Sequence, residues 1–338
     1  MLASMTLLLG ASAFAAPAAC NAGMTQFRAR EWRDAAISLA NCEAAAPGQT
    51  DALLFRGKAL VNLGEFDDAA QALENYVAKH PQSDDALYTL GYVQFRQNKP
   101  RESLATYTKA AAIKTPTSDD LKIVSLDYVL LDDAKDAARY LEDALKMDPA
   151  NVDARYSLGR VRYQLNEFDQ AIAAFEEVLR RDPVNLKAEY NLGLSYEGEN
   201  RVDDAIGCYQ KAIAMEKVAP NRDEQPYLNL GSLLSKSNRA AEAIPFLQYA
   251  AEIKPDSGKV QYELAKAYLA AGNTDQARVS GERAIRLQPD ESSYHYLLGR
   301  VYAKAGKQDL AAAEFQQTDA LLKKKGAPDA THASEPRP

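Results

Sequence analysis

The chain is poor in the residues from which metal and redox sites are built. Its 338 residues include only three Cys and three His. These lie apart along the sequence, at Cys20, Cys42, Cys208, His80, His295 and His332. No subset has metal-ligand spacing, and His295 falls at a predicted helix-packing position. We therefore predict no metal site and no cofactor.

Excess positive charge is also missing. Forty Lys and Arg stand against forty-seven Asp and Glu, which gives a net charge of -7 and a pI near 5.2. A polyanionic ligand needs the opposite sign, so nucleic acid is excluded as the main partner. Apolar residues at 46% and charged residues at 26% exclude wholesale disorder and a polytopic membrane protein.

Short catalytic motifs are absent as well. Gly57-Lys58 comes nearest to a phosphate-binding loop, but it lacks the earlier glycine and the following hydroxyl residue. Neither a Gly-x-Ser-x-Gly elbow nor a His-Glu-x-x-His pair occurs. Acidic pairs such as Asp67-Asp68 and Asp203-Asp204 fall at predicted helix starts, where they complement the helix dipole. We predict no catalytic residue, no small-molecule substrate and no enzyme activity.

A period of 34 residues dominates the sequence. Small residues recur at Ala35, Ala69, Ser103, Ala137, Ala171, Ala205, Ala243, Ala277 and Ala311. Every interval is 34 except the 38 between Ala205 and Ala243, which indicates a four-residue insertion, placed at 220–223. Glycines and prolines recur with the same period. Three residue types in phase predict a single repeat array.

One unit, 152–185, shows what repeats. Leu158 and Tyr163 belong to one apolar helix face, and Phe175 belongs to a second face after a polar break. Pro183 then ends the second helix, because its ring clashes with the preceding turn. Each unit is predicted to be a helical hairpin that is stable only when it stacks on its neighbours.

The repeated pattern resembles the tetratricopeptide repeat family, in the form of a bacterial-type exported member. It reads Leu-Gly-x-x-Tyr, then Ala, then an aromatic residue, as in Leu192-Gly193 with Tyr196, Ala205 and Tyr209. The resemblance implies an all-α, right-handed superhelical solenoid of about nine helix-turn-helix units within 20–325. The units are 16–49, 50–83, 84–117, 118–151, 152–185, 186–219, 224–257, 258–291 and 292–325.

Both ends differ from the array. Residues 1–19 carry no charge and contain an apolar run followed by small residues, which predicts a signal peptide cut between residues 14 and 20. The expected location is therefore periplasmic or secreted; a misassigned start is the alternative. Residues 326–338, rich in Ala, Pro, Ser and Thr, are predicted to be a disordered tail.

Cys20 has three possible fates. It follows small residues that resemble part of a lipoprotein processing site, and only in that case do we expect membrane association. It also lies roughly abreast of Cys42 in the predicted hairpin, where a disulfide would stabilise the fold by about 3 kcal/mol in an oxidising compartment. Two free buried thiols are the third possibility.

The resemblance also implies a binding surface. In the family, the first helices of successive hairpins line a concave groove that receives a peptide or protein segment. The residues of this sequence at the family's groove-facing positions form two rows along the first helices. The first row holds Tyr88, Tyr156, Tyr190, Tyr262 and Tyr296. The second row includes Tyr92, Arg160, Lys266 and Arg300.

Helix 119–131 is predicted to be apolar almost all round. Its Leu126, Val129 and Leu130 are expected to extend the groove as an apolar patch, next to Phe95, Tyr92 and Tyr163. The alternative is a degenerate repeat that packs differently.

The second residue of each unit changes polarity along the chain. It is Asp51, Asp85, Asp119 and Asp153 in the earlier units and Lys187, Gln225, Lys259 and Ser293 in the later ones. We therefore expect the later groove to be basic around Lys266, Arg300 and Lys304, and the ligand to carry an acidic segment. The alternative is that the aspartates serve only as partners of the helix dipole.

These patterns together predict a non-enzymatic interaction scaffold or assembly factor at the cell envelope, with a protein or peptide ligand. Two other functions remain open at this point. One is an intracellular, co-chaperone-like adaptor that captures a chain terminus. The other is a regulatory array related to those attached to glycosyltransferases. Asn191 and Asn229 are the residues that bear on both.

Overall fold

A computed structural model describes residues 12–48, 51–216 and 223–326, and all regular secondary structure in these residues is α-helical. Eighteen helices follow one another in this part of the chain. They are α1 (Ser12–Arg28), α2 (Trp32–Ala45), α3 (Ala52–Leu63), α4 (Phe66–Lys79), α5 (Asp84–Arg96), α6 (Pro100–Ala111), α7 (Ser118–Leu130), α8 (Ala134–Met147), α9 (Val152–Gln164), α10 (Phe168–Arg181), α11 (Leu186–Gly198), α12 (Val202–Glu216), α13 (Gln225–Lys236), α14 (Ala240–Ile253), α15 (Gly258–Ala270), α16 (Thr274–Leu287), α17 (Ser292–Lys304) and α18 (Gln308–Gly326).

A left-handed backbone residue turns the chain within every hairpin. The residue always occupies the same place in the 34-residue period, between a first and a second helix. It is Arg30, Gly64, Asn98, Asp132, Asn166, Asn200, Asn238, Gly272 or Gly306, with φ between 58° and 83°. Gly and Asn tolerate this conformation better than other residues, which explains their use at the turn.

The two helices of a hairpin cross closely where the period places glycine. A Cβ added to Gly231 would lie 2.5 Å from Leu247 Cγ, and one added to Gly57 would lie 2.6 Å from Leu73 Cγ. Leu73 and Leu247 are themselves completely buried. Glycine is thus required here by close approach of side chains, and the adjacent leucine fills the hairpin core.

The chain divides between Ala174 and Phe175 into two compact units. In the N-terminal unit, one apolar cluster joins α1 to α5 and includes Leu39, Leu54 and Leu73. A second cluster joins α7 to α9 around Leu141 and Val161.

The C-terminal unit has an apolar cluster across α15 to α18. Leu297, Leu298 and Val301 form its centre, and Phe315 packs against it from the last helix. The first helix α17 therefore contributes to this core while residues such as Tyr296 and Arg300 on the same helix are exposed.

The all-α class and the repeated hairpin predicted from the sequence are confirmed. The acidic pairs at helix starts are confirmed as well, since Asp67-Asp68 and Asp203-Asp204 lie in the first turns of α4 and α12. Helix α1 begins at Ser12, so it overlaps part of the predicted signal peptide. Residues 1–11 of that peptide, residues 220–222 of the insertion and residues 327–338 of the tail lie outside the described residues.

Candidate functional site

A groove runs over the first helices α13, α15 and α17 of the C-terminal unit. Its volume is about 590 Å³. Its walls carry four cations, Lys236, Lys266, Arg300 and Lys304, and its floor includes Leu269, Leu297 and Phe315. We call this surface the basic groove.

The four cations of the basic groove differ in how they are neutralised. Lys236 forms an ion pair with Glu197 at 3.1 Å, and Lys266 forms one with Glu263 at 3.0 Å. Lys304 donates to the carbonyl oxygen of Leu269 at 3.0 Å. Arg300 forms no ion pair or hydrogen bond with any other residue in the described part of the chain. Its guanidinium is therefore available to an anion.

Aromatic rings support this surface. Tyr262 stacks on Tyr294 with ring centroids 4.9 Å apart, and the Lys266 ammonium lies 5.4 Å from the Tyr262 ring. Burial raises the pKa of Tyr262, so its hydroxyl stays neutral. Tyr296 is 52% exposed and packs its ring against Phe315. The tyrosines thus orient a cation and offer an exposed apolar edge.

The basic groove contains Lys266 and Arg300 of the predicted site residues, with Tyr262 beside Lys266. Lys304, which was named with them from the sequence, lies on the same surface, and the structure adds Lys236 to its cations. Tyr190, on α11, accepts a hydrogen bond from Asn229 at 2.8 Å. Asn191 donates to the carbonyl of Lys187 at 2.7 Å. Both asparagines of the alternative functions are thus engaged by neighbouring residues.

In the N-terminal unit, the predicted tyrosine row is largely engaged within the repeats. Tyr88 donates to the carbonyl of Lys114 at 2.5 Å, and burial raises its pKa to about 12. Arg96 donates to the Tyr92 hydroxyl at 2.6 Å. Tyr163 packs edge-on against Phe168. Tyr156 is half-buried, whereas Arg160 is exposed.

The predicted apolar patch divides into a packed part and an exposed part. Val129 packs against the buried cluster of α7 to α9. Leu126 and Phe95 are half-buried, and Leu130 is 47% exposed. Val129 thus contributes to the core of its repeat, while Leu130 is the most accessible member of the patch.

Two first-helix cations of the N-terminal unit are neutralised by the aspartates that the sequence singled out, whereas the exposed Arg160 forms no ion pair with another described residue. Lys58 forms an ion pair with Asp85, and Lys122 lies 3.1 Å from Asp119 and 3.7 Å from Asp153. Each of these aspartates is the second residue of a 34-residue repeat unit. The later repeat units have Lys187, Gln225, Lys259 and Ser293 at that position.

A buried carboxyl was not foreseen from the sequence. Asp127 is fully buried, and its Oδ2 lies 2.6 Å from Ser103 Oγ. Ser103 Oγ also lies 2.9 Å from the carbonyl oxygen of Gly91. Burial raises the pKa of Asp127 to about 7, although the contact with Ser103 acts in the opposite direction. The sequence did contain one indication of this buried carboxyl. Asp127 is the tenth residue of its 34-residue repeat unit, and the tenth residues of the adjacent repeat units are the apolar Val93 and Val161.

Cys20 and Cys42 form a disulfide that joins α1 to α2, with Cα atoms 4.8 Å apart. Cys208 is buried in α12, and burial raises the pKa of its thiol to about 12. A thiol of this kind is unreactive at neutral pH.

The described residues offer neither a metal site nor a membrane span. No group of three or more His, Cys, Asp and Glu side chains in residues 12–48, 51–216 and 223–326 has an arrangement that could hold a metal ion. Among the described helices, none combines the length and apolar character needed to cross a membrane.

Comparison with known proteins gives the family. Tetratricopeptide repeat models match residues 20–72, 54–119, 126–185, 158–220, 190–258 and 234–301. One of these models alone covers more than half of the chain. The chain belongs to the tetratricopeptide repeat family. Members of this family present extended helical surfaces on which other proteins bind.

Individual relatives are distant. The CTR9 homolog of Arabidopsis thaliana is 32% identical over 116 residues, which is 33% of this chain and 10% of that protein. This chain thus spans about a tenth of the curated relative that it matches.

Two solved structures share the fold. A tetratricopeptide repeat protein from Parabacteroides merdae has a TM-score of 0.55 and 20% identity, over 74% of this chain and 98% of its own. The pilF protein of Pseudomonas aeruginosa has a TM-score of 0.53 and 18% identity, over 62% of this chain and 94% of its own.

Proposed function

We propose that this tetratricopeptide repeat protein is a non-enzymatic scaffold or assembly factor that binds an acidic protein segment in the basic groove. The observation that carries the proposal is the Arg300 guanidinium, which no other described residue neutralises, beside the Lys236, Lys266 and Lys304 cations and above an apolar floor. A segment with one or more carboxylates and a Leu or Phe anchor complements both features.

The two parts of the groove have different roles in this proposal. Leu269 and Leu297 are almost completely buried, and Phe315 is half-buried, so the floor is a preformed apolar surface. An apolar anchor placed on it supplies most of the affinity. The surrounding cations select an acidic segment and accelerate its association, and salt weakens their effect.

We further propose export to the cell envelope. Two features support it: the uncharged apolar run at residues 1–19 and the disulfide between Cys20 and Cys42, which is typical of an oxidising compartment. If Cys20 is lipidated instead, it is not available for the disulfide, and the protein is tethered to a membrane.

A peptide-display library tests the groove, because it samples many candidate segments at once. We expect selection of peptides in which Asp or Glu lies close to Leu or Phe. Arg300→Glu should lower the affinity of a selected peptide about tenfold at low salt, equivalent to about 1.4 kcal/mol. The measurement is a fluorescence-anisotropy titration at two salt concentrations.

Lys307→Glu is the matched control. It makes the same charge change on an exposed residue of the C-terminal unit that does not line the groove. Selection of peptides without acidic residues, or equal losses for Arg300→Glu and Lys307→Glu, would contradict the proposed ligand.

A further inference from the structure

A second cleft, of about 530 Å³, lies between α10, α11 and α12, and all the residues that line it belong to the C-terminal unit. None of them also lines the basic groove. The charged side chains of its lining are those of Glu176, Glu189, Asp203, Asp204 and Lys211. We call this site the acidic cleft, because its charge is opposite in sign to that of the basic groove.

The acidic cleft contains a buried carboxylate that lacks a hydrogen bond. Glu189 is 4% exposed, and its Oε1 accepts no hydrogen bond from any other described residue. The Cys208 thiol hydrogen-bonds the same carboxylate but carries no positive charge to neutralise it. A buried carboxylate is costly unless a cation and hydrogen-bond donors satisfy it. Glu189 Oε1 is therefore open to a cationic donor.

Lys211 is the only cation among the described residues that line this cleft, and it neutralises Glu189 poorly. Its Nζ lies 3.6 Å from Glu189 Oε1, which is too far for a hydrogen bond, and its side chain is 68% exposed. An ion pair with so exposed a member contributes little. The Lys211 ammonium can therefore give way to a cation that approaches Glu189 more closely.

The other carboxylates make the entrance of the cleft negative. Glu176 accepts a hydrogen bond from the Tyr196 hydroxyl at 2.8 Å, and Asp204 forms an ion pair with Arg201 at 2.8 Å. Asp203 is exposed at the rim. Even with Arg201 counted beside Lys211, four carboxylates face two cations. The resulting field favours a positively charged ligand and disfavours an anion.

Packing of the repeat does not require a carboxylate at this place. Glu189 is the fourth residue of its 34-residue repeat unit, and the fourth residues of three earlier repeat units are the buried Leu53, Leu87 and Leu121. In α15 the same place is taken by Gln261, which is also buried. An uncharged side chain therefore suffices to close the space between the helices.

We propose that the acidic cleft is a second binding site, which receives the positively charged side chain of a Lys or Arg residue from a protein segment. The protein source of this side chain rests on the proposed function; the charge of the ligand rests on the cleft alone.

The apolar part of the lining fits a cation that is carried on a methylene stem. Leu179, Leu192 and Met215 line the cleft together with the carboxylates. Lys and Arg side chains pack their methylene groups on such surfaces while the charged end reaches a polar partner. A metal ion fits less well, because no three His, Cys, Asp or Glu side chains in the described residues are arranged to hold one.

Nuclear magnetic resonance titration of the full chain tests the proposal, with N-acetyl-lysine methylamide and N-acetyl-arginine methylamide as probes. We expect saturable shifts of the backbone amide signals of Glu189 and Cys208 with at least one probe. N-acetyl-norleucine methylamide has the same methylene stem as the lysine probe but no ammonium group, and it should bind at least tenfold more weakly.

Two substitutions should change the affinity in opposite directions. Glu189→Gln introduces the residue type that α15 has at this place, and it should weaken binding of the probe at least tenfold. Lys211→Gln removes the competing ammonium and should strengthen binding about threefold. Glu199→Gln is the matched control, because Glu199 is an exposed carboxylate that does not line the cleft, and it should leave the affinity unchanged.

Circular dichroism establishes that each variant is folded. Absence of saturable shifts with both probes at their solubility limits, undiminished affinity in Glu189→Gln, or equal binding of the norleucine analogue overturns the proposal, and so does weaker binding in Lys211→Gln. Arg300→Glu should leave this titration unchanged, so failure of the basic groove and failure of the acidic cleft are distinguishable.

Discussion

The two compact units are built from the same repeat but differ in the acidic residues that lie beside their first-helix cations. In the N-terminal unit, Lys58 is neutralised by Asp85 and Lys122 by Asp119 and Asp153. In the C-terminal unit, Ser293 takes the place of such an aspartate with respect to Lys266, which pairs with Glu263 of its own helix, and no other described residue neutralises Arg300. The acidic partners of the first-helix cations thus differ between the two units.

The N-terminal unit carries its unusual residues inside the fold. Asp127 with Ser103 lies in a helix interface, and Cys20 with Cys42 links the first hairpin. The C-terminal unit instead presents polar side chains to open clefts. This contrast predicts that mutations in the first unit act mainly on stability, and mutations in the second mainly on binding.

The largest expected effect concerns Asp127 and pH. Ser103 has one hydroxyl hydrogen but two acceptors within reach, so a proton on Asp127 completes the network. The folded-state pKa is about 7, above the ordinary value of 3.8. Unfolding therefore releases a proton between these values, and stability falls as pH rises from about 4 to about 7, by up to about 4 kcal/mol.

Asp127→Asn should remove this pH dependence and raise the stability of the N-terminal unit at pH 8. Urea unfolding and hydrogen exchange at pH 5 and pH 8 measure both effects. Asp136→Asn, which changes a half-buried partner of Arg139, should retain the pH dependence. A variant Asp127→Asn that is less stable than the parent at pH 8 contradicts a protonated Asp127.

The fold was predictable from the sequence because it depends on residues that recur. Gly231 and Leu247 form the same contact as Gly57 and Leu73, so the residues that recur every 34 positions are the ones that form the helix contacts. The burial of Asp127 was not foreseen, and the reason is physical. Helix 119–131 is apolar almost all round, which hides the direction of its one buried carboxyl until neighbouring helices are placed.

The second prediction tests the disulfide. Cys42→Ser opens a loop with a sequence separation of 22 residues, which should cost the first hairpin about 3 kcal/mol. Hydrogen exchange should rise in α1 and α2 and remain unchanged in α15 to α18, because repeats contact only their neighbours. Cys208→Ala is the control, since this thiol is not in a disulfide. Three titratable thiols in the unfolded, unreduced protein exclude the bridge.

The third prediction sharpens the comparison at one repeat position. Gly231→Ala places a methyl group 2.5 Å from Leu247 Cγ and should destabilise the C-terminal unit by about 1–3 kcal/mol. Ser125 occupies the equivalent place in the N-terminal unit and is fully buried, so α7 already accommodates a Cβ there. Ser125→Gly should therefore cost only about 1 kcal/mol, through helix propensity.

Gly207→Ala provides the matched control for this series. Gly207 lies within α12, and an added Cβ there would meet nothing within 4 Å. The substitution should stabilise the unit slightly, by up to about 1 kcal/mol, which urea unfolding measures. Equal effects of Gly231→Ala and Gly207→Ala would show that close approach does not explain the periodic glycine.

The candidate site was predictable only in part. The polarity change at the second residue of each repeat unit led to the expectation of positive charge around Lys266 and Arg300, and both residues line the basic groove. The contribution of Lys236, which was not foreseen, depends on how long side chains from successive first helices converge. The same dependence explains why the packing of Val129 into its repeat core was not foreseen.

The smallest expected effect tests the origin of the difference between the units. Lys58 and Asp85 occupy the ninth place of one unit and the second place of the next, and Lys266 and Ser293 occupy the same two places. Ser293→Asp should therefore place a second carboxylate beside Lys266, which already pairs with Glu263. Because the new contact is exposed, its effect on affinity for an acidic peptide should be about threefold to fivefold at low salt, within about 1 kcal/mol. High salt should remove most of the loss. Ser293→Asn, of similar size without charge, should bind like the parent, and a loss that is equal for both variants would attribute the effect to shape and not to neutralisation of Lys266.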